Sequence, residues 1–289
     1  MSVRGLRARA KGSIPRPVRH ALRVVNRAAH RIYYALVDTV ESIRGRDTLT
    51  PPRSKIFVGG GDFRQVGEEF RHYFVDLGHL QPDDRVLDVG CGIGRMAAPL
   101  TGYLSQRGEY WGFDIVKEGI DWCRTAIAGP FPNFHFEHAD VFNEHYNPAG
   151  THRASEYRFP HEDSSIDFAF LTSVFTHMLP PDIENYLSEI SRVMRPGGRC
   201  LMTLFLLNDE SRGCMKDRLS TLDFAHAIDE CFTIDAGDPE AALAYGEDAI
   251  RARLAAVRLQ VDEPIRFGSW CGRRSFLSYQ DIILVTKGD

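Results

Sequence analysis

Short apolar runs alternate with apolar stripes of helical period along most of the chain. The first run, Val86, Leu87 and Val89, leads straight into a cluster of glycines, and later runs occupy 110–116, 134–138, 166–172 and 199–207. A short, largely apolar run such as the first suits a strand covered on both faces, as in a parallel sheet. Between them, helical spacing predicts helices over about 63–77, 95–104, 117–127 and 182–194. The last of these places Ile183, Tyr186, Leu187, Ile190 and Val193 on one face and stops at Arg195-Pro196-Gly197-Gly198. Asp62 stands where an N-cap would begin the first of them. A further helix is expected over about 239–259, inside an insertion spanning 208–266. The alternation predicts a doubly wound α/β fold with a mostly parallel sheet.

Upstream of this body the pattern changes. Residues 1–16 are Arg-rich with scattered glycines and read as a tail. From residue 17, Val18, Leu22, Val25, Ala29, Ile32, Leu36, Val40 and Ile43 recur at helical spacing while Arg19, Arg23 and Arg27 line another face. This predicts an N-terminal basic amphipathic helix. Such a helix docks on an anionic membrane surface or a partner, or packs on its own domain or a second subunit, and the sequence leaves these open. Pro51-Pro52 marks a linker, which divides the chain into 1–46, a linker and cap helix over 47–79, and the main domain over 80–289. Within 47–79, the run Gly59-Gly60-Gly61 is a candidate lid, with Phe57 or Phe63 as its cover, or a plain helix entry.

Composition narrows the class. At 289 residues, 43% hydrophobic and 26% charged, the chain has ordinary globular composition. The N-terminus lacks the apolar core of a secretory signal, and a cytoplasmic protein is expected, with peripheral membrane attachment or self-association through residues 17–44 left open. Eleven Arg and Lys face Asp38 and Glu41 in residues 1–46, a net of +9, which leaves −13 on the remainder of a chain whose total is −4. An acidic body repels phosphate backbones, so no specific nucleic-acid partner is expected. Six cysteines without CxxC spacing read as buried thiols, and no ligand cluster indicates a metal.

The glycine cluster carries the chemistry. Read from Gly92, Gly92-x-Gly94-x-x-Ala97 satisfies a dinucleotide fingerprint, with Asp114 placed to take a ribose hydroxyl. Read from Asp88, the same letters are Asp88-x-Gly90-x-Gly92-x-Gly94. Asp114 ends the second strand, Asp140 and Val141 follow the third, and Ser173 and His177 follow the fourth. The connection over 143–165 is long for a strand-to-helix link and holds His145, Tyr146 and His152; such loops are often functional.

The phrases VLDVGCGIG, YWGFDIV, HADV, SSIDFAFLTSVFTHM and VMRPGGRCLMT, in this order over residues 80–207, resemble the successive motifs of a class I methyltransferase dependent on S-adenosylmethionine (SAM), of the small-molecule type. The resemblance implies a Rossmann-like fold with a seven-stranded sheet, in which the stretch from Phe267 gives a sixth strand and 280–287 the closing antiparallel strand, and it implies SAM as cofactor. It implies cofactor binding by Asp88, Gly90, Gly92, Gly94, Asp114, Ile115, Asp140, Val141 and Ser173, with Asp140 toward the adenine amino group and its neighbour on the ring. It also implies a small-molecule or glycan acceptor, O-methylated with His177 as general base. An N- or C-methyltransferase of the same fold, an NAD(P)-dependent oxidoreductase and a non-catalytic SAM-binding module are the alternatives. The long loop, the basic arm and the stretch after Asn208 depart from the family pattern.

Overall fold

The computed structural model describes residues 34, 37–40, 43, 45–57 and 59–289. The chain forms two compact units, 1–57 and 58–289. In the first, Asp38 accepts from the Arg53 and Ser54 main-chain N–H groups and from the Ser54 hydroxyl, which ties the end of a helical stretch to the Pro51-Pro52 segment. The expected amphipathic helix over residues 17–44 lies largely outside the described residues.

The second unit is built on a seven-stranded sheet. Strands β1 (Arg85–Val89), β2 (Glu109–Asp114), β3 (Phe134–His138), β4 (Ile166–Leu171) and β5 (Met194–Leu204) are parallel in the order β5-β4-β1-β2-β3. This is the doubly wound arrangement that the apolar runs predict. After the short strands β6 (Leu206–Leu207), β7 (His226–Ile228), β8 (Cys231–Thr233) and β9 (Leu243–Gly246), strand β10 (Leu259–Val261) and strand β11 (Asp281–Lys287) complete the sheet. β11 runs antiparallel to β5, and β10 antiparallel to β11.

Each face of the sheet is covered. Leu87 and Val89 of β1 join a core with helix α4 (Pro180–Val193), whose Ile183, Tyr186, Leu187, Ile190 and Val193 are all buried as their spacing requires. On the other face, α1 (Phe63–His72), with its continuation through Leu77, brings Phe74 onto the sheet, stacked on Phe170 at 4.2 Å. The short helix α2 (Ala97–Leu100) and α3 (Lys117–Cys123) follow β1 and β2. Asp62 caps α1 by accepting from the Arg64 and Gln65 N–H groups.

The region after β5 corrects the expected elements. The stretch 239–259 is not one helix: a 3-10 turn at Pro239–Ala241 and strand β9 precede helix α6 (Glu247–Ala256). Leu243–Gly246 has apolar residues at a spacing compatible with a helix, but pairing with β8 and β6 makes it a strand. The order β6-β9-β8-β7 forms a second, four-stranded sheet. The sixth strand is Leu259–Val261, directly after α6, and not the stretch from Phe267. Helix α5 (Asp209–Lys216) opens the insertion. Asp281, buried at the start of β11, accepts from the Leu206 and Gly268 N–H groups, the Trp270 indole N–H and the Arg273 guanidinium, which fastens the insertion to the sheet.

Candidate active site

The glycine turn begins where β1 ends. The Gly90 and Cys91 N–H groups both donate to the Phe113 carbonyl, at 2.9 and 3.0 Å, so the chain curls over the end of β2 instead of extending the strand. Gly90 (φ +81°), Gly92 (φ +59°) and Gly94 (φ +81°) all sit in the left-handed region. Two of them are also enclosed: a Cβ on Gly90 would stand 2.5 Å from Val174 Cγ2, and one on Gly94 2.6 Å from Ile127 Cδ1 and 2.9 Å from Cys123 Sγ.

Asp114 closes this turn from the neighbouring strand. Its Oδ2 accepts from the Gly92 N–H at 2.7 Å and its Oδ1 from the Val116 N–H at 2.8 Å. Burial raises its pKa, opposed by those two N–H bonds. A carboxylate with one such bond on each oxygen keeps a lone pair on each, which suits the two vicinal hydroxyls of a ribose. Asp88 lies beneath, fully buried, with Oδ2 accepting from the Tyr110 hydroxyl and Oδ1 without a hydrogen-bond partner among the described residues. Burial pushes its pKa up to about 8.

The remaining positions divide. Asp140 accepts from the Thr151 hydroxyl, which holds its pKa below the usual range despite a desolvation cost, and its carbonyl accepts from the Thr151 and His152 N–H groups. Val141, expected beside an adenine ring, is instead buried in the main core. Its side chain is turned inward because the chain bridges to His152 at that point, and Phe142 is the apolar side chain exposed there. Ile115 packs partly against the same core, and its carbonyl takes a hydrogen bond from His138 Nε2 at 3.1 Å.

A second group of residues gathers beyond β4. Ser173 holds φ +60°, a strained value for a residue with a Cβ. Its N–H donates to Thr203 Oγ1 at 2.8 Å and its hydroxyl to Gln280 Oε1 at 3.0 Å, while Thr203 also donates to Gln280 at 2.6 Å. β4, β5 and the approach to β11 therefore meet at one point.

One 3-10 turn further, at Phe175–His177, His177 Nδ1 lies 2.7 Å from the Glu240 carbonyl oxygen. A carbonyl only accepts, so Nδ1 carries a proton, and in the neutral ring Nε2 is the nitrogen with the lone pair. Glu240 also accepts from Asn143, and His145 Nε2 lies 2.7 Å from Asp238 Oδ1. The tip of the long loop thus closes on the insertion, and Tyr146 packs edge-on to the His177 ring at 6.4 Å.

A third contact covers the exit of the glycine turn. Arg95, next to Gly94, donates to the Gly59 and Gly60 carbonyls at 3.2 and 3.3 Å and lies over the Phe63 ring. Phe63 is buried under it at the entry to α1. The structure therefore brings Gly90, Gly92, Gly94 and Asp114 into one turn with Asp88 beneath it, and joins Ser173 to Thr203 and Gln280. Sequence reasoning did not single out Glu240, Asn143, Gln280 or Arg95. The place of Arg95 directly after Gly94 was the nearest signal in the sequence. Among the described residues no group of three or more His, Cys, Asp and Glu side chains is placed to hold a metal.

The two acceptor oxygens of Asp114, the unpartnered buried oxygen of Asp88 and the glycine turn fit an adenosyl cofactor. Residues 87–202 match the family model described as a methyltransferase domain. The chain is 29% identical over 121 residues to the O-methyltransferase cnsE of Penicillium expansum, covering 41% of this chain and 37% of that protein. It is 25% identical over 156 residues to a sterol 24-C-methyltransferase of Schizosaccharomyces pombe, covering 49% and 33%. The match thus spans about a third of the length of these curated relatives. A solved SAM-dependent methyltransferase from Methanosarcina mazei superposes with a TM-score of 0.51 at 22% identity, over 74% of this chain and 97% of that one, a likeness of fold. Over residues 87–202 the chain is thus similar to methyltransferase domains, and its sheet has the fold of a solved SAM-dependent methyltransferase. The dinucleotide reading of the glycine turn gives way to this match.

Proposed function

We propose that the protein transfers a methyl group from SAM to a hydroxyl of a small molecule or glycan, with His177 as the general base. The observation that carries the reading is the 2.7 Å contact between His177 Nδ1 and the Glu240 carbonyl, which presents Nε2 as a proton acceptor beyond β4. SAM, when bound, supplies a methyl group already activated on a sulfonium, so the chain has chiefly to bind, orient and exclude water. In this reading the glycine turn and Asp114 hold the nucleoside, Asp140 accepts from the adenine amino group, and Ile115 and Ser173 line the same site. Asp88 supports the turn from beneath. His177 Nε2 takes the proton from the acceptor hydroxyl. The name of the Penicillium relative, an O-methyltransferase, supports oxygen as the acceptor atom; that of the sterol 24-C-methyltransferase supports carbon as the second reading.

The test is incubation with methyl-labelled SAM and paired acceptors that differ only in carrying a hydroxyl, an amine or an activated carbon. Label on the hydroxyl partner alone, lost in His177→Ala, is the expected result. Label on the amine or carbon partner, or full turnover in His177→Ala, would overturn the assignment.

A further inference from the structure

Large apolar side chains left open on the described part of the second unit gather at one end of it. They are Phe142, Tyr146, Leu219, Phe276, Leu277 and Tyr279, between 41% exposed at Leu277 and 59% at Leu219. Phe142 and Tyr146 follow β3 at its carboxyl end. Phe276, Leu277 and Tyr279 precede β11, which starts opposite Leu204 at the carboxyl end of β5. Leu219 joins them from the insertion: its Cβ would stand 2.9 Å from a Cβ built on Gly272, and Thr221 shares a hydrogen bond with the Tyr279 hydroxyl. This is the end of the sheet that carries the glycine turn, where ligands bind in open α/β folds.

The two flanks enter the candidate site directly. On one side Tyr146 packs on His177. On the other, Tyr279 is followed by Gln280, which holds Ser173 and Thr203. His177 and Ser173 lie four residues apart between the flanks. Exposed apolar clusters of this kind mark ligand grooves or protein interfaces. Six half-open side chains expose on the order of 600 Å², divided over two flanks, short of the roughly 800 Å² per partner of a standard protein interface. A small molecule whose apolar body bridges the flanks fits the arrangement better than a second chain.

We propose that the methyl acceptor is an amphiphile with an extended alkyl or aryl body, which lies against Leu219, Phe276, Leu277 and Tyr279 while its reacting group meets His177. This rests on the functional reading above and names its substrate class.

The experiment titrates 4-alkylphenols, from 4-ethylphenol to 4-octylphenol, into the full chain saturated with S-adenosylhomocysteine (SAH), with affinity read by ligand-observed NMR. Affinity should rise about two- to fourfold per methylene. Leu277→Asp and Phe276→Ser, both at exposed positions, should flatten that rise while leaving SAH affinity unchanged. A flat series, no detectable binding of 4-octylphenol, or an undiminished rise in both variants overturns the proposal while the cofactor reading stands. A dimer that Leu277→Asp converts to monomer also overturns it, by giving the patch to a second copy. Failure of SAH itself to bind removes the functional reading and the proposal with it.

Discussion

His177 donates from Nδ1 to the main-chain carbonyl of Glu240, 63 residues away, at 2.7 Å. The insertion therefore sets the tautomer of a side chain borne by the turn after β4, and in the neutral ring the nitrogen left to accept is Nε2. Glu240 is held in turn by Asn143 of the long loop. Because the contact uses a carbonyl, replacing the Glu240 side chain leaves the tautomer intact, whereas removing the imidazole does not.

With a suitable acceptor, His177→Ala should lower kcat by about 10²- to 10⁴-fold, the usual contribution of a positioned base. SAH affinity should stay within about twofold of wild type. A rise in the acceptor KM with kcat preserved would instead make His177 a binding residue. Steady-state kinetics on the two proteins, with calorimetry for SAH, distinguish these outcomes.

The glycines of the turn should differ sharply from those of the segment before α1. Gly90→Ala and Gly94→Ala each place a Cβ at positive φ and into a neighbouring side chain, Val174 in one case and Ile127 with Cys123 in the other. Each should cost about 1–3 kcal/mol of stability. Gly60→Ala meets nothing within 4 Å and should be neutral or slightly stabilising. Urea unfolding of the three variants reads the difference directly, and equal midpoints would contradict the packing described.

Asp88 makes stability depend on pH. Its pKa in the folded protein is raised by burial from the ordinary 3.8 to about 8, so the native state binds this proton more tightly than the unfolded chain. The stabilisation linked to that proton is complete below about pH 4 and is lost as pH rises through about 8. Asp88→Asn, which keeps the shape and stays uncharged, should therefore gain on wild type as pH increases from 5 to 8. Urea midpoints of both proteins at pH 5, 6.5 and 8 give the comparison. A constant difference across that range would show that Asp88 is already ionised in the native state.

Much of the fold was readable because its signals are local. The apolar runs at Val86–Val89 and Ile166–Leu171, the glycines after β1 and the stripe on α4 are all set by neighbours in sequence. The elements misread are those made by distant partners. Leu243–Gly246 is a strand because Cys231–Thr233 and Leu206–Leu207 lie beside it, and Leu259–Val261 is a three-residue strand defined by its pairing with β11. The site follows the same division. Asp114 could be placed from its position at the end of β2, but the Glu240 carbonyl opposite His177 and Gln280 beside Ser173 come from segments 63 and 107 residues further along. No periodicity records such a meeting.

The central claim is that the turn of Gly90, Gly92 and Gly94, closed by Asp114, binds the adenosyl cofactor of a methyltransferase. Calorimetric titration of SAH into the wild type and Asp114→Ala tests it most directly. The wild type should bind one equivalent in the micromolar range, about 7–9 kcal/mol, undisturbed by excess NAD. Asp114→Ala, which loses the ribose contacts and the partner of the Gly92 N–H, should bind at least tenfold more weakly. Wild-type affinity in Asp114→Ala, or displacement of SAH by NAD, would contradict the account.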